Sequence, residues 1–123
     1  MADLNWMTAS DLASALTSGE VSAREALDAH VAHCEKVNPD LNVVVTTDIE
    51  RAQQRADAID AARASGVALG PLAGVPMTVK DSLMTAGVRT TSGAPELADF
   101  VPEIDAVPVR NVCLLYTSPS PRD

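Results

Sequence analysis

Apolar residues recur every three to four positions through the first half of the chain and lose that spacing in the second. Thr8 with Asp11 three residues later, followed by Leu12 and Leu16, predicts a short capped helix that ends near Gly19. Ser22 and Glu25 form a capping-box pattern, and Leu27, Val31 and Cys34 continue it as the stripe of an amphipathic helix. Asn38 and Pro39 are predicted to stop that helix, because proline has no N–H and restricts the residue before it. The β-branched run LNVVVT, residues 41–46, is too short for a helix and predicts a buried strand. Thr47 with Glu50 repeats the capping pattern. Ile49, Ala52, Ala56 and Ile59 then mark the buried face of a third helix, with Ser65 and Gly66 as its stop and Arg, Gln and Asp on a solvated face.

From Gly70 the texture changes to Gly, Pro, Thr and Ser around one short apolar segment, residues 77–79. This predicts a strand inside loops, opened by Pro76, which costs no internal ladder bond at a strand start. Lys80 then falls at the strand's C-terminal end, where α/β proteins place chemistry. The expected fold class is therefore α/β.

Composition narrows the picture. Aromatic residues make up only 2% of the chain, so any core is built from Ala, Val and Leu, which bury less area per residue and suit a piece of a larger body. A net charge of −8, with nine scattered Lys and Arg, argues against nucleic-acid binding, which needs clustered cations. The two cysteines, Cys34 and Cys113, suggest neither a disulfide framework nor a zinc site, and no export signal or membrane span is evident. A cytoplasmic setting is the expectation. His30, His33 and Cys34 share a helix, but no carboxylate or second cysteine completes a ligand set, so no metal is expected.

The stretch LAGVPMTVKD, residues 72–81, resembles the lysine motif of the amidase signature family, and TTSG at residues 90–93 continues that pattern. The resemblance extends less closely through NPDLNVVVT and on to Asp105. It implies a mixed central sheet covered by helices, of which this chain supplies the outer N-terminal helices and first strands. It also implies hydrolysis of a carbon–nitrogen amide bond by a serine nucleophile, a second serine in a cis peptide, and a lysine, without metal or cofactor. The substrate would be a small-molecule amide. A serine hydroxyl is a weak nucleophile until a base removes its proton, and a lysine can be that base. The resemblance assigns this catalytic role to Lys80. Thr90, Thr91 and Ser92 are candidates for a substrate-binding border, although hydroxyls in such loops more often satisfy their own backbone. Asp81 is expected to set the local turn or hydrogen-bond the loop.

The family's two serines lie in a downstream Gly-Ser-rich loop that nothing in this sequence resembles, so the fragment is expected to be inactive, marginally stable and prone to aggregate. The parent could be a stand-alone amidase or the amidase subunit of a transfer-RNA-dependent amidotransferase, which would bring partner subunits and a glutamine donor. A truncated, non-catalytic helical binding module is the reading from another class. Residues 113–123, CLLYTSPSPRD, depart from the family pattern. They can be encoded by DNA that resembles the transposase adapter used in preparing sequencing libraries. The expected organisation is thus residues 1–112 as the N-terminal part of an amidase domain and residues 113–123 as a non-native tail, with Asn111 and Val112 at the junction.

Overall fold

In the computed structural model, which describes residues 3–115, a short 3-10 turn at Leu4–Trp6 leads into helix α1, Ala9–Ser18. Thr8 caps it: the hydroxyl accepts the Asp11 N–H at 3.1 Å and donates to the Asp11 carboxylate at 2.8 Å. The helix stops at Gly19, whose φ of +79° is the left-handed value that a glycine adopts without steric cost. Helix α2, Ala23–Leu41, opens with both halves of its capping box: the Glu25 N–H reaches the Ser22 hydroxyl at 3.0 Å, and the Ser22 N–H reaches the Glu25 carboxylate at 2.9 Å.

The expected stop at Asn38 and Pro39 is corrected, because α2 continues through Pro39 to Leu41. The reason lies in Asn38. Its side-chain oxygen accepts the N–H groups of Val43 and Val44 at 3.0 and 2.9 Å, and its amide donates to the Val44 carbonyl at 2.9 Å. These bonds satisfy the backbone as it leaves the helix, so the one donor Pro39 lacks is tolerated in the last turn. Asn42, left-handed at φ +49°, completes the reversal.

Helix α3, Ile49–Ala64, ends as expected at Ser65 and Gly66, but its start differs from the expectation. Asp48 holds the cap position without a side-chain cap bond, so Glu50 no longer stands three residues beyond the cap, and the Thr47–Glu50 box does not form. An Asp48–Arg51 ion pair at 2.6 Å occupies the first turn instead.

Helices α2 and α3 pack together, and α1 lies over their junction through a core of Leu12, Ala15, Leu16, Val21, Ala23, Ala26 and Ala56. Ala23 and Ala26 have no exposed surface, so the backbones approach closely where larger side chains would hold them apart. Residue 74 shows how tight this is. A Cβ on Gly74 would lie 2.9 Å from the Ala23 Cβ and 3.3 Å from a Leu16 methyl, at a φ of +88°. Gly74→Ala is therefore expected to destabilise the fold by about 2–3 kcal/mol, combining left-handed strain with a clash against a rigid neighbour. Denaturant unfolding beside Gly19→Ala checks this: position 19 has open space around it and carries the left-handed strain alone, so it should cost less.

The strands expected at residues 41–46 and 77–79 are not formed. Among the described residues there is no sheet, only an isolated antiparallel bridge between Thr85 and Val88. A β-branched run becomes a strand only when a neighbour accepts its ladder bonds. Here Val43, Val45 and Met77 stay 72%, 49% and 48% exposed, with no such neighbour among the described residues. In place of a ladder, the second half of the chain has isolated backbone bonds: Gly87 N–H to the Pro102 carbonyl at 2.9 Å, Thr90 N–H to the Phe100 carbonyl at 2.9 Å, and Ala106 N–H to the Met84 carbonyl at 2.8 Å. A 3-10 turn at Pro95–Leu97 and helix α4, Val107–Leu114, complete it. Helix α4 crosses the expected junction at Val112, and the Leu115 carbonyl accepts the Leu72 N–H at 3.0 Å. The rest of the tail, residues 116–123, lies outside the described residues. No helix among the described residues is long and apolar enough to cross a membrane.

Candidate functional site

Lys80 begins a tight turn in which its carbonyl accepts the Leu83 N–H at 2.9 Å. Its side chain is exposed, and its ammonium makes no hydrogen bond or ion pair with the described residues. The next residue is held far more closely. Asp81 accepts the Thr91 N–H on Oδ1 at 2.9 Å, and the Thr91 hydroxyl donates to Oδ2. The Asp81 backbone carbonyl accepts the Ser92 N–H at 2.9 Å. Thr91 Oγ1 in turn accepts the Gly93 N–H at 3.2 Å. The loop of residues 90–93 is thereby brought against the turn that carries Lys80.

This loop turns through two successive left-handed residues, Ser92 at φ +54° and Gly93 at φ +69°. Serine is uncommon there, and the Ser92 N–H bond to Asp81 is what holds it. Thr90 is buried, its hydroxyl donating to the Val88 carbonyl at 3.1 Å. The structure thus places Thr90, Thr91 and Ser92 together near Lys80, with the Thr90 and Thr91 hydroxyls committed to the protein's own groups.

The hydrogen bonds from the Thr91 hydroxyl and then the Thr91 N–H hold the Asp81 carboxyl below the usual aspartate range, with a smaller contribution from the Arg89 charge. A carboxylate depressed in this way keeps its bonds above the ordinary aspartate range and loses them only as pH falls through the lowered value. The Thr91 amide resonance should accordingly titrate at a lower pH than that of an unpaired aspartate, which an NMR pH series would measure. With both oxygens engaged, Asp81 is placed as a structural acceptor, not as a free base.

The histidines lie elsewhere. His30 Nδ1 is 2.7 Å from the Ala26 carbonyl, and His33 packs edge-on against Trp6 with ring centroids 5.9 Å apart. Among the described residues, no group of three His, Cys, Asp or Glu side chains could hold a metal ion. An apolar groove of about 400 Å³ runs between α2, α3 and the 74–77 segment, lined chiefly by Leu27, Ala56, Ile59, Val75 and Met77; Lys80 and the 90–93 loop do not border it.

The arrangement supplies one exposed amine beside a braced polar loop, inside a segment with clear relatives. The amidase family model matches residues 25–113. A glutamyl-tRNA(Gln) amidotransferase subunit from Synechococcus sp. (strain CC9902) is 45% identical over 104 residues, which are 85% of this chain and 21% of that protein. The protein of the same name from Moorella thermoacetica (strain ATCC 39073 / JCM 9320) is 46% identical over 110 residues, 89% of this chain and 23% of that one. A structure solved in work on a vestigial protein complex and the origins of an s-triazine catabolic enzyme superposes with a TM-score of 0.84 at 32% identity, covering 89% of this chain and 24% of its own. A bacterial aryl acylamidase of the amidase signature family gives a TM-score of 0.75 at 29% identity, over 83% of this chain and 21% of its own. The chain spans about a fifth of the length of the curated relatives it matches. With Lys80, Asp81 and the 90–93 loop all inside the matched segment, the chain belongs to the amidase family of amidase signature enzymes.

Proposed function

We propose that this chain is the lysine-bearing N-terminal part of an enzyme that cleaves carbon–nitrogen amide bonds by a Ser-cisSer-Lys mechanism. The observation that carries the reading is the position of Lys80, in GVPMTVKD within the segment matched by the family model. In that scheme Lys80 takes a proton from the bridging serine, which deprotonates the nucleophilic serine; the proton later goes to the leaving amine. The scheme needs no metal or cofactor, and the setting is cytoplasmic. Both serines would come from the remainder of the polypeptide, whose addition would also pair residues 41–46 and 77–79 as strands of the mixed sheet. Residues 113–123 are read as a non-native tail.

The names of the two curated relatives described above favour an amidotransferase component over a stand-alone amidase. On that reading the amide is glutamine, and partner subunits complete the enzyme. Sequencing the locus from independent DNA and expressing its full reading frame tests all of this. The expected result is a frame that continues past Val112 into a Gly-Ser-rich loop, and a product that releases ammonia from glutamine while the 123-residue chain releases none. Turnover of simple aryl or alkyl amides without glutaminase activity would move the reading to a stand-alone amidase. A genuine stop after the same tail, or amide hydrolysis by the 123-residue chain alone, would overturn it.

A further inference from the structure

Asp81 is the residue that ties the two halves of the candidate site together. Through Thr91 and Ser92 it fastens the 90–93 loop to the backbone immediately after Lys80 by three direct bonds, two on its carboxylate and one on its carbonyl. No other side chain among the described residues makes hydrogen bonds to both the backbone and the hydroxyl of that loop. Thr91 relays the constraint onward to Gly93. The Lys80 side chain, by contrast, has nothing of its own among the described residues to fix it, so its placement depends on the backbone it springs from.

We propose that Asp81 is a positioning residue for Lys80, with the Thr91 hydroxyl as its necessary partner: the pair holds the turn that launches the lysine in register with the 90–93 loop. This rests on the reading of Lys80 as the catalytic base. A base displaced by about 1 Å from its proton donor loses rate without losing substrate, so the signature falls on kcat and spares KM. Thr91→Val keeps the side-chain shape and removes the donor to Asp81, whereas Thr91→Ser keeps the donor.

The experiment uses the complete enzyme expressed from the full reading frame, with active sites titrated so that kcat refers to folded molecules. Thr91→Val and Asp81→Ala are expected to lower kcat about 10- to 100-fold with KM changed less than about threefold, and Thr91→Ser to stay near wild type. Lys80→Met runs beside them. If Lys80→Met abolishes turnover while Thr91→Val and Asp81→Ala keep wild-type kcat, the positioning role is overturned and the reading of Lys80 stands. If Lys80→Met retains turnover, both fall. A Thr91→Ser variant as impaired as Thr91→Val, or a loss that disappears once kcat is referred to folded molecules, also overturns the proposal. Should Asp81→Ala prove insoluble, the Thr91 pair decides alone.

Discussion

Lys80→Met in the complete enzyme is expected to lower kcat/KM for amide cleavage by at least about 10³-fold. A positioned general base contributes about 10²- to 10⁴-fold on its own, and removing one member of a triad that acts as a unit costs more than its separate share. Methionine keeps the unbranched stem and removes the amine, its basicity and its charge together. In the 123-residue chain Lys80 is exposed and without a partner among the described residues, so there the same substitution should leave stability within about 0.5 kcal/mol of wild type. Lys80→Arg separates charge from basicity. An arginine supplies a cation but cannot shed its proton at any working pH, so a site that needs a base stays inactive, whereas one that needs only a positive charge recovers. Steady-state assays of the two variants, with circular dichroism to confirm folding, give the answer. Recovery in Lys80→Arg would assign the residue an electrostatic role and remove the general-base step.

The lysine was legible in the sequence because its signal is local: ten consecutive residues, 72–81, carry the motif, and neither sheet nor helix is needed to recognise it. What Asp81 does was only half legible. A carboxylate after a strand segment could be expected to bond a loop, but its bonding to Thr91 is a ten-residue contact. A threonine hydroxyl in a glycine-containing loop has many acceptors within reach, its own backbone among them, and Thr90 chooses one of these. Only the path of the chain between residues 81 and 91 decides that Thr91 meets a carboxylate.

The helices divide in the same way. The caps of α1 and α2 were readable because each is a three-residue relation between a hydroxyl and an acid, settled before any packing occurs. Thr47 and Glu50 show the same relation and do not use it, since the helix begins at Ile49 with Asp48, not Thr47, at its cap. Residues 41–46 and 77–79 carry strand propensity without a strand, because a ladder is a property of two segments. Asn38 illustrates the converse: an apparent helix stop lies inside a longer helix capped by Asn42, its side chain bonded to the backbone of Val43 and Val44.

The residue the sequence most undervalues is Asp60, which reads as part of the solvated face of α3. Its carboxylate instead accepts the first two N–H groups of α2, from Ala23 at 2.8 Å and Arg24 at 3.0 Å, thirty-seven and thirty-six residues away. It also pairs with Arg63 at 3.1 Å, and Arg63 donates to the Leu16 and Val21 carbonyls, so one acid–base pair closes the ends of α1 and α2 onto α3. The Arg63 and Asp60 side chains are about three-quarters buried, at 26% and 22% exposure, which places them beyond the range of ordinary surface pairs. Asp60→Ala removes two charge-assisted bonds to donors that no intrahelical carbonyl can satisfy, and leaves the Arg63 charge partly buried without its acid. The expected cost is about 2–4 kcal/mol, a large part of the net stability of an ordinary folded domain. Asp60→Asn keeps one acceptor oxygen and should recover part of that loss, while Asp57→Ala, on the exposed face one turn away, should cost less than about 1 kcal/mol. Urea unfolding followed by far-UV circular dichroism ranks the three. If Asp60→Ala cost no more than Asp57→Ala, the solvated-face reading of α3 would be the correct one, and the junction of the three helices would owe its order to alanine packing alone.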